Sequence, residues 1–296
     1  MEKKRVRLYK ELEIKIGRTP LVRYSGEVPN KNVILIKREC DNPYGSHYDR
    51  VYLELFRHFE SEGKLIPGMN VLETTSGTAG VSFAGIGKFL GFNCYVMIPD
   101  DSYKKKRIEV IEFQGGNVIL TPGEEDVFGF TKDRIFENIR EYNAFFLNHS
   151  FGKRGTNNEV TLSALETIAR EVSEVTEVDV YVCGIGNGSS VVGLGRFFRI
   201  RNPNINIVGY KPQKVGKSDF PGLMNQDGLD RKISFPHLVE ANSLMSKVVL
   251  IDDWDGIGYE DLGRSAVAGI NVGLKIAEEI SNKNILVLGY DKIQRY

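Results

Sequence analysis

The sequence has no excess of either charge: 39 basic and 39 acidic residues cancel to a formal net charge of zero. Without surplus positive charge to neutralise phosphodiester backbones, nucleic acid is not an expected partner. No uninterrupted apolar run approaches the ~18 residues of a membrane span. The start, Met1-Glu2-Lys3-Lys4-Arg5, lacks the apolar core of a signal peptide. A soluble, cytoplasmic protein with no membrane partner is therefore expected. Cysteine is scarce as well. Cys40, Cys94 and Cys183 lie far apart and are odd in number, which argues against a disulfide framework and against a metal cluster. The chain shows no repeat of 20–50 residues and no low-complexity segment.

What is present is an ordinary globular balance, 26% charged and 41% hydrophobic over 296 residues, which excludes wholesale disorder. At ~100–200 residues per domain this length suits two domains or one large α/β unit. Glycine exceeds its ~7% norm, with 31 residues gathered at loop–helix junctions. Short β-branched and aromatic runs at 33–37, 69–73, 93–98, 117–120, 144–147, 179–183, 205–210, 247–251 and 284–288 read as strands. Helical patterns fall between them at 46–62, 79–90, 103–113, 130–142, 159–175, 189–199 and 260–280. In the first of these, Tyr48, Val51, Tyr52, Leu55 and Phe59 recur at three- and four-residue steps, the mark of a core-facing helix. Strands separated by helices mean right-handed βαβ units and mostly parallel sheets, one wide or two smaller. The apolar succession Val180, Tyr181, Val182 predicts a central, buried strand. The stretch 214–242, with Pro221 and Pro236, reads as a long surface excursion.

Ligands of parallel sheets collect beyond the carboxyl ends of strands, where loops feed helix N-termini. Three loops have that form. Glu73-Thr74-Thr75-Ser76-Gly77-Thr78-Ala79-Gly80 offers small residues, hydroxyls on Thr75, Ser76 and Thr78, and free amides for a carboxylate or phosphate. Gly184-Ile185-Gly186-Asn187-Gly188-Ser189-Ser190 has the composition of a phosphate cup. Asn42-Pro43-Tyr44-Gly45-Ser46-His47-Tyr48-Asp49-Arg50 enters the first long helix, where Ser46 and Asp49 have capping-box spacing. Any one of these alone is ordinary turn chemistry. There is no Walker loop and no ribose-binding acid in a dinucleotide unit. Three such loops on one side of a sheet favour a small anionic ligand with a phosphate and a carboxylate.

In this order the loops resemble those of the cysteine synthase family of pyridoxal phosphate enzymes, the fold type II group that includes the tryptophan synthase β subunit. Ile16-Gly17-Arg18-Thr19-Pro20-Leu21-Val22 is similar to that family's I-G-N-T-P-L-V, and the 42–50 loop to N-P-G-G-S-V-K-D-R. The 75–80 segment is similar to T-S-G-N-T-G, 186–190 to G-T-G-G-T, and Gly209-Tyr210-Lys211-Pro212 to G-V-E-P. The 263–275 segment stands where the family has S-S-G-A-A, and Gln294-Arg295-Tyr296 resembles G-E-R-Y. The resemblance implies an α/β protein of two domains with mostly parallel sheets flanked by helices. Residues 37–147 would form a smaller mobile domain, and 1–36 plus 148–296 a larger one carrying the phosphate loop, with the ligand cleft between them. A homodimer is implied by analogy alone.

Carried over residue by residue, Gly186, Asn187, Gly188, Ser189 and Ser190 would hold the cofactor phosphate. Ser265 would meet the pyridine nitrogen and Thr78 the ring hydroxyl, at the place of the family's asparagine. Thr75, Ser76 and Gly77 would bind the substrate carboxylate, and His149, near the family's glutamine, would help hold an anion. The lysine that forms the family's Schiff base falls at Tyr48. A phenol cannot form an imine, and its ordinary pKa of ~10 makes it a poor base at neutrality. His47, about 100° round a helix from Tyr48, and Lys211, at the family's glutamate, are the substitute bases in view. Three functions stay open. One is a PLP- or phospho-ligand-binding protein of amino-acid metabolism without ordinary Schiff-base catalysis. Another is an active β-elimination or β-replacement enzyme using His47, Tyr48 or Lys211. The last is a non-catalytic sensor or partner protein. Little turnover of O-acetylserine, serine or cysteine is expected.

Overall fold

The structure, a computed structural model, describes residues 2–75, 77–100, 105–122, 132–151, 155–213, 220, 222–223, 235–252 and 255–295. Ser76 and most of the 214–242 excursion lie outside the described residues.

Two sheets share the strands. The first is six-stranded, in the order β1-β2-β10-β7-β8-β9: Leu21–Arg23, Val33–Lys37, Asn284–Leu288, Val180–Gly184, Asn206–Pro212 and Lys247–Ile251. Its pairs are parallel except β1 with β2. The second is four-stranded and wholly parallel, in the order β5-β4-β3-β6: Asn117–Pro122, Asn93–Asp100, Asn70–Thr74 and Phe145–Phe146. The wide-sheet alternative is thus excluded. As the apolar succession required, β7 is central, with Val180, Tyr181, Val182 and Cys183 all buried.

Among the described residues the helices are α1 (Lys3–Lys15), α2 (Tyr48–Ser61), α3 (Thr78–Leu90), α4 (Lys105–Phe113), α5 (Lys132–Glu141), α6 (Thr156–Ser173), α7 (Ser189–Arg201), α8 (Leu238–Leu244) and α9 (Arg264–Glu279). On α2, Val51, Tyr52, Leu55 and Phe59 are buried as the stripe requires, joined by Phe56, while Tyr48 is only half-buried. The helix does not begin with a capping box. Ser46 Oγ takes the Tyr48 N–H at 3.2 Å, but the Asp49 carboxylate turns to the Tyr44 N–H (2.7 Å) and the Ser82 hydroxyl (2.6 Å). Asp49 is used to join α2 to α3.

A buried ion network joins α2 to the first sheet. Arg50 grips Glu39 with two bonds of 2.8 and 2.9 Å and Glu171 on α6 with two of 2.5 and 2.8 Å. Lys37, at the end of β2, adds 2.7 Å to Glu171. Burial works to raise the Glu39 carboxyl, and Arg50 outweighs it, so the group stays ionised.

Candidate functional site

Parallel strands deliver their loops to one edge, and here both sheets deliver them to the same cleft. It has a volume of about 870 Å³ with its solvent-open mouth included. Thr74, Thr75, Thr78 and Ala79 line it from the β3–α3 turn, and His149, Ser150 and Phe151 from the chain after β6. Gly184, Gly186, Asn187, Gly188 and Ser190 come from the β7–α7 turn, Ser265 from α9, Tyr290 and Asp291 from beyond β10, and His47 and Tyr48 from the start of α2. Gly222, Leu223 and Phe235 of the excursion complete the wall.

The 186–190 loop is a close-fitting turn. A Cβ at Gly186 would lie 2.6 Å from the Gly222 carbonyl oxygen, and Gly188 sits at φ +86° against His237. Asn187 Oδ1 accepts the Ser189 N–H (3.0 Å) and hydroxyl (2.6 Å), and the first helical bond runs from Val192 N–H to Gly188. The amides of Ser190 and Val191 are left without an intrahelical acceptor at a helix N-terminus, where anions bind. Ser189 itself is buried and does not line the cleft; its hydroxyl is spent on the turn.

Facing this loop, Tyr48 lines the cleft from the start of α2, and the Asn187 side chain draws its phenol pKa down. Burial, with the negative charge of Glu73 behind it, nevertheless pushes the phenol up to about 12. His47 is no surface histidine. It immediately precedes α2, is 6% exposed, and lies 4.2 Å from the Tyr48 ring, centroid to centroid. Burial lowers its pKa to about 4, so the imidazole is neutral at pH 7. Its Nδ1 has no hydrogen-bond partner among the described residues.

Behind Tyr48 sits a fully buried carboxylate. Glu73 accepts the N–H groups of Thr74 (2.8 Å) and His149 (3.2 Å). His149 Nδ1 stands 3.3 Å from Glu73 and 3.1 Å from the Tyr52 hydroxyl. Burial and then the Glu73 charge raise the Tyr52 phenol well above its ordinary value. The His149 ring meets the Tyr48 ring edge-on at 5.3 Å.

Other placements differ from the expectation. Thr78 lines the cleft, but its hydroxyl donates to Asp291 at 2.7 Å and so offers a ligand only lone pairs. The Thr75 Oγ accepts the amides of Gly77 (2.8 Å) and Gly80 (3.2 Å), holding the turn open. Gly77 adopts φ +140° with Arg107 packed where a Cβ would be, 2.3 Å from its Cδ, and does not itself line the cleft. Lys211 is on β8 opposite Leu250 and is not among the lining residues, because its strand neighbour Tyr210 takes the face toward Ser265 (2.7 Å to the carbonyl). Tyr290, Asp291 and Glu73 were not singled out from the sequence. For the first two, the position just past a predicted strand in a parallel sheet is the signal that would have found them.

A family model described as pyridoxal-phosphate dependent enzyme matches residues 12–280. A cysteine synthase of Staphylococcus aureus is 29% identical over 232 residues, spanning 73% of this chain and 74% of that protein. An O-ureido-L-serine synthase of Streptomyces lavendulae is 26% identical over 294 residues, 92% of this chain and 86% of its own length. Among solved structures, a cysteine synthase of Entamoeba histolytica superposes with a TM-score of 0.79 at 26% identity, covering 96% of this chain and 88% of that one.

Proposed function

Since this chain belongs to the pyridoxal-phosphate dependent enzyme family, with a cysteine synthase-like type II fold, we propose that its cleft binds pyridoxal phosphate, with a small amino acid, without a covalent bond to the protein. The observation that carries this reading is Tyr48, standing at the cleft wall with the 186–190 loop across from it. A phenol has no amine to condense with an aldehyde.

The rest of the cleft suits the group. The 186–190 backbone would hold the phosphate, in a turn where the Gly222 carbonyl leaves no room for a side chain at Gly186. Ser265 would meet the ring nitrogen, and Thr78 would accept from the ring hydroxyl. Thr75 and Ser76 would receive the amino-acid carboxylate. When bound, the cofactor would supply an electron sink for chemistry at an amino acid's α-carbon. The protein belongs, on this reading, to amino-acid metabolism, as a homodimer whose segment 37–147 closes on the remainder.

Absorbance titration with pyridoxal phosphate, followed by borohydride reduction and peptide mass spectrometry, tests the reading. Saturable binding reversed by dialysis, with no phosphopyridoxyl peptide, is expected. A stoichiometric label on Lys211 would overturn it. Light scattering checks the dimer.

A further inference from the structure

We propose that His149, held by the buried carboxylate of Glu73 and the phenol of Tyr52, takes up and returns a proton on the amino acid bound in the cleft. The inference rests on the amino-acid reading of the cleft given above, and proton accounting gives it its form. The Glu73 carboxylate accepts from Thr74 N–H and His149 N–H and stands 3.3 Å from His149 Nδ1. A carboxylate is an acceptor only, so a bare Nδ1 would set its lone pair against that charge. With Nδ1 protonated, the Tyr52 hydroxyl, 3.1 Å away, serves it as a second acceptor. The ring proton therefore sits on Nδ1, and Nε2 keeps a bare lone pair on the opposite side of the ring. Since Nδ1 is turned back to Glu73 and the residue lines the cleft, Nε2 is the nitrogen left for a ligand.

A carboxylate that orients an imidazole and opposes the charge it acquires is the standard support of a general base. In the step, a C–H bond of the ligand breaks, the proton bonds to Nε2, and the electron pair stays with the ligand. The imidazolium is then balanced by Glu73, and return of the proton reverses both changes. The neighbours are less apt. Tyr48 holds its proton, since burial pushes the phenol up to about 12, and His47 is too weak a base with its pKa near 4. Lys211 does not line the cleft.

The chain has four histidines, so a long-range 15N–1H imidazole spectrum can be assigned by single substitutions. At pH 7 His149 is expected as the Nδ1–H tautomer, and Glu73→Gln is expected to redistribute it. In D2O, with pyridoxal phosphate and L-serine, the protein is expected to exchange the serine α-proton faster than the cofactor alone. His149→Gln should lower that rate at least about tenfold while cofactor absorbance shows binding retained. An Nε2–H tautomer in the unmodified protein, or unchanged exchange in His149→Gln, overturns the proposal. If the unmodified protein leaves the cofactor spectrum untouched, the amino-acid reading of the cleft falls and takes the proposal with it. The tautomer spectrum separates these two failures, because it needs no ligand.

Discussion

At the scale of single residues, the start of α2 carries two groups whose surroundings oppose their usual behaviour. Asp49 is fully buried, and burial pushes its carboxyl up to about 7 against the pull of Ser82 and the Tyr44 amide. A raised pKa means that the folded chain holds this proton where the unfolded chain has lost it. The stability it lends is complete below the ordinary carboxylate pKa and is lost as pH rises through 7. Urea midpoints compared between the protein and Asp49→Asn should diverge over that window, with the variant less sensitive to rising pH. An equal pH slope in both would show that Asp49 titrates normally. Tyr48 offers a second test. Tyr48→Lys places an amine at the cleft wall, and borohydride reduction with pyridoxal phosphate should then label position 48. Loss of the aromatic contact with His47 makes a folding check by circular dichroism part of that measurement.

At the scale of elements, the 186–190 loop, proposed above to hold the phosphate, has little room for added bulk. Gly186→Ala drives a methyl to within 2.6 Å of the Gly222 carbonyl, so the turn or the excursion must shift. Weaker pyridoxal phosphate binding by about tenfold, at a stability cost of about 1–3 kcal/mol, is expected from titration and urea melts. Unchanged affinity would mean that the phosphate sits elsewhere. The loop was legible in the sequence because glycine leaves a visible trace wherever backbone must come close or turn left-handed. Helix α1 was not, because a charged contact holds it more than an apolar stripe does. Arg5 clasps Glu60 at 2.5 and 2.6 Å, Tyr9 reaches the same carboxylate at 2.8 Å, and only Tyr9 and Leu12 are buried. Strand β1 has three residues, too few to show an alternation. The meeting of Glu73 and His149 was hidden for another reason. It follows from β6, a two-residue strand, pairing with β3 in the register Val71 to Phe145 and Leu72 to Phe146. Long-range register of that kind leaves no local pattern to read.

At the scale of the whole molecule, Arg50 is a residue on which separate parts converge. Through it α2 meets Glu39, just past β2, and Glu171 on α6, which Lys37 also holds. Arg50→Met would strand a fully buried carboxylate at Glu39, a loss of about 3–5 kcal/mol, read as a lowered urea midpoint. A loss within experimental error would mean that water reaches Glu39. The thiols lie across the same framework. Cys94 lies on β4 of the four-stranded sheet, Cys183 on β7 of the six-stranded one, and Cys40 beside the turn that leads to α2. Burial raises all three, Cys183 to about 11 in spite of hydrogen bonds with Tyr181 and Tyr290, and Cys40 to about 12. An alkylating reagent reaches each sulfur only when its own neighbourhood opens. The chain thus carries three natural clocks, and the order in which carbamidomethyl tags accumulate along a urea series will time the parting of one sheet against the other.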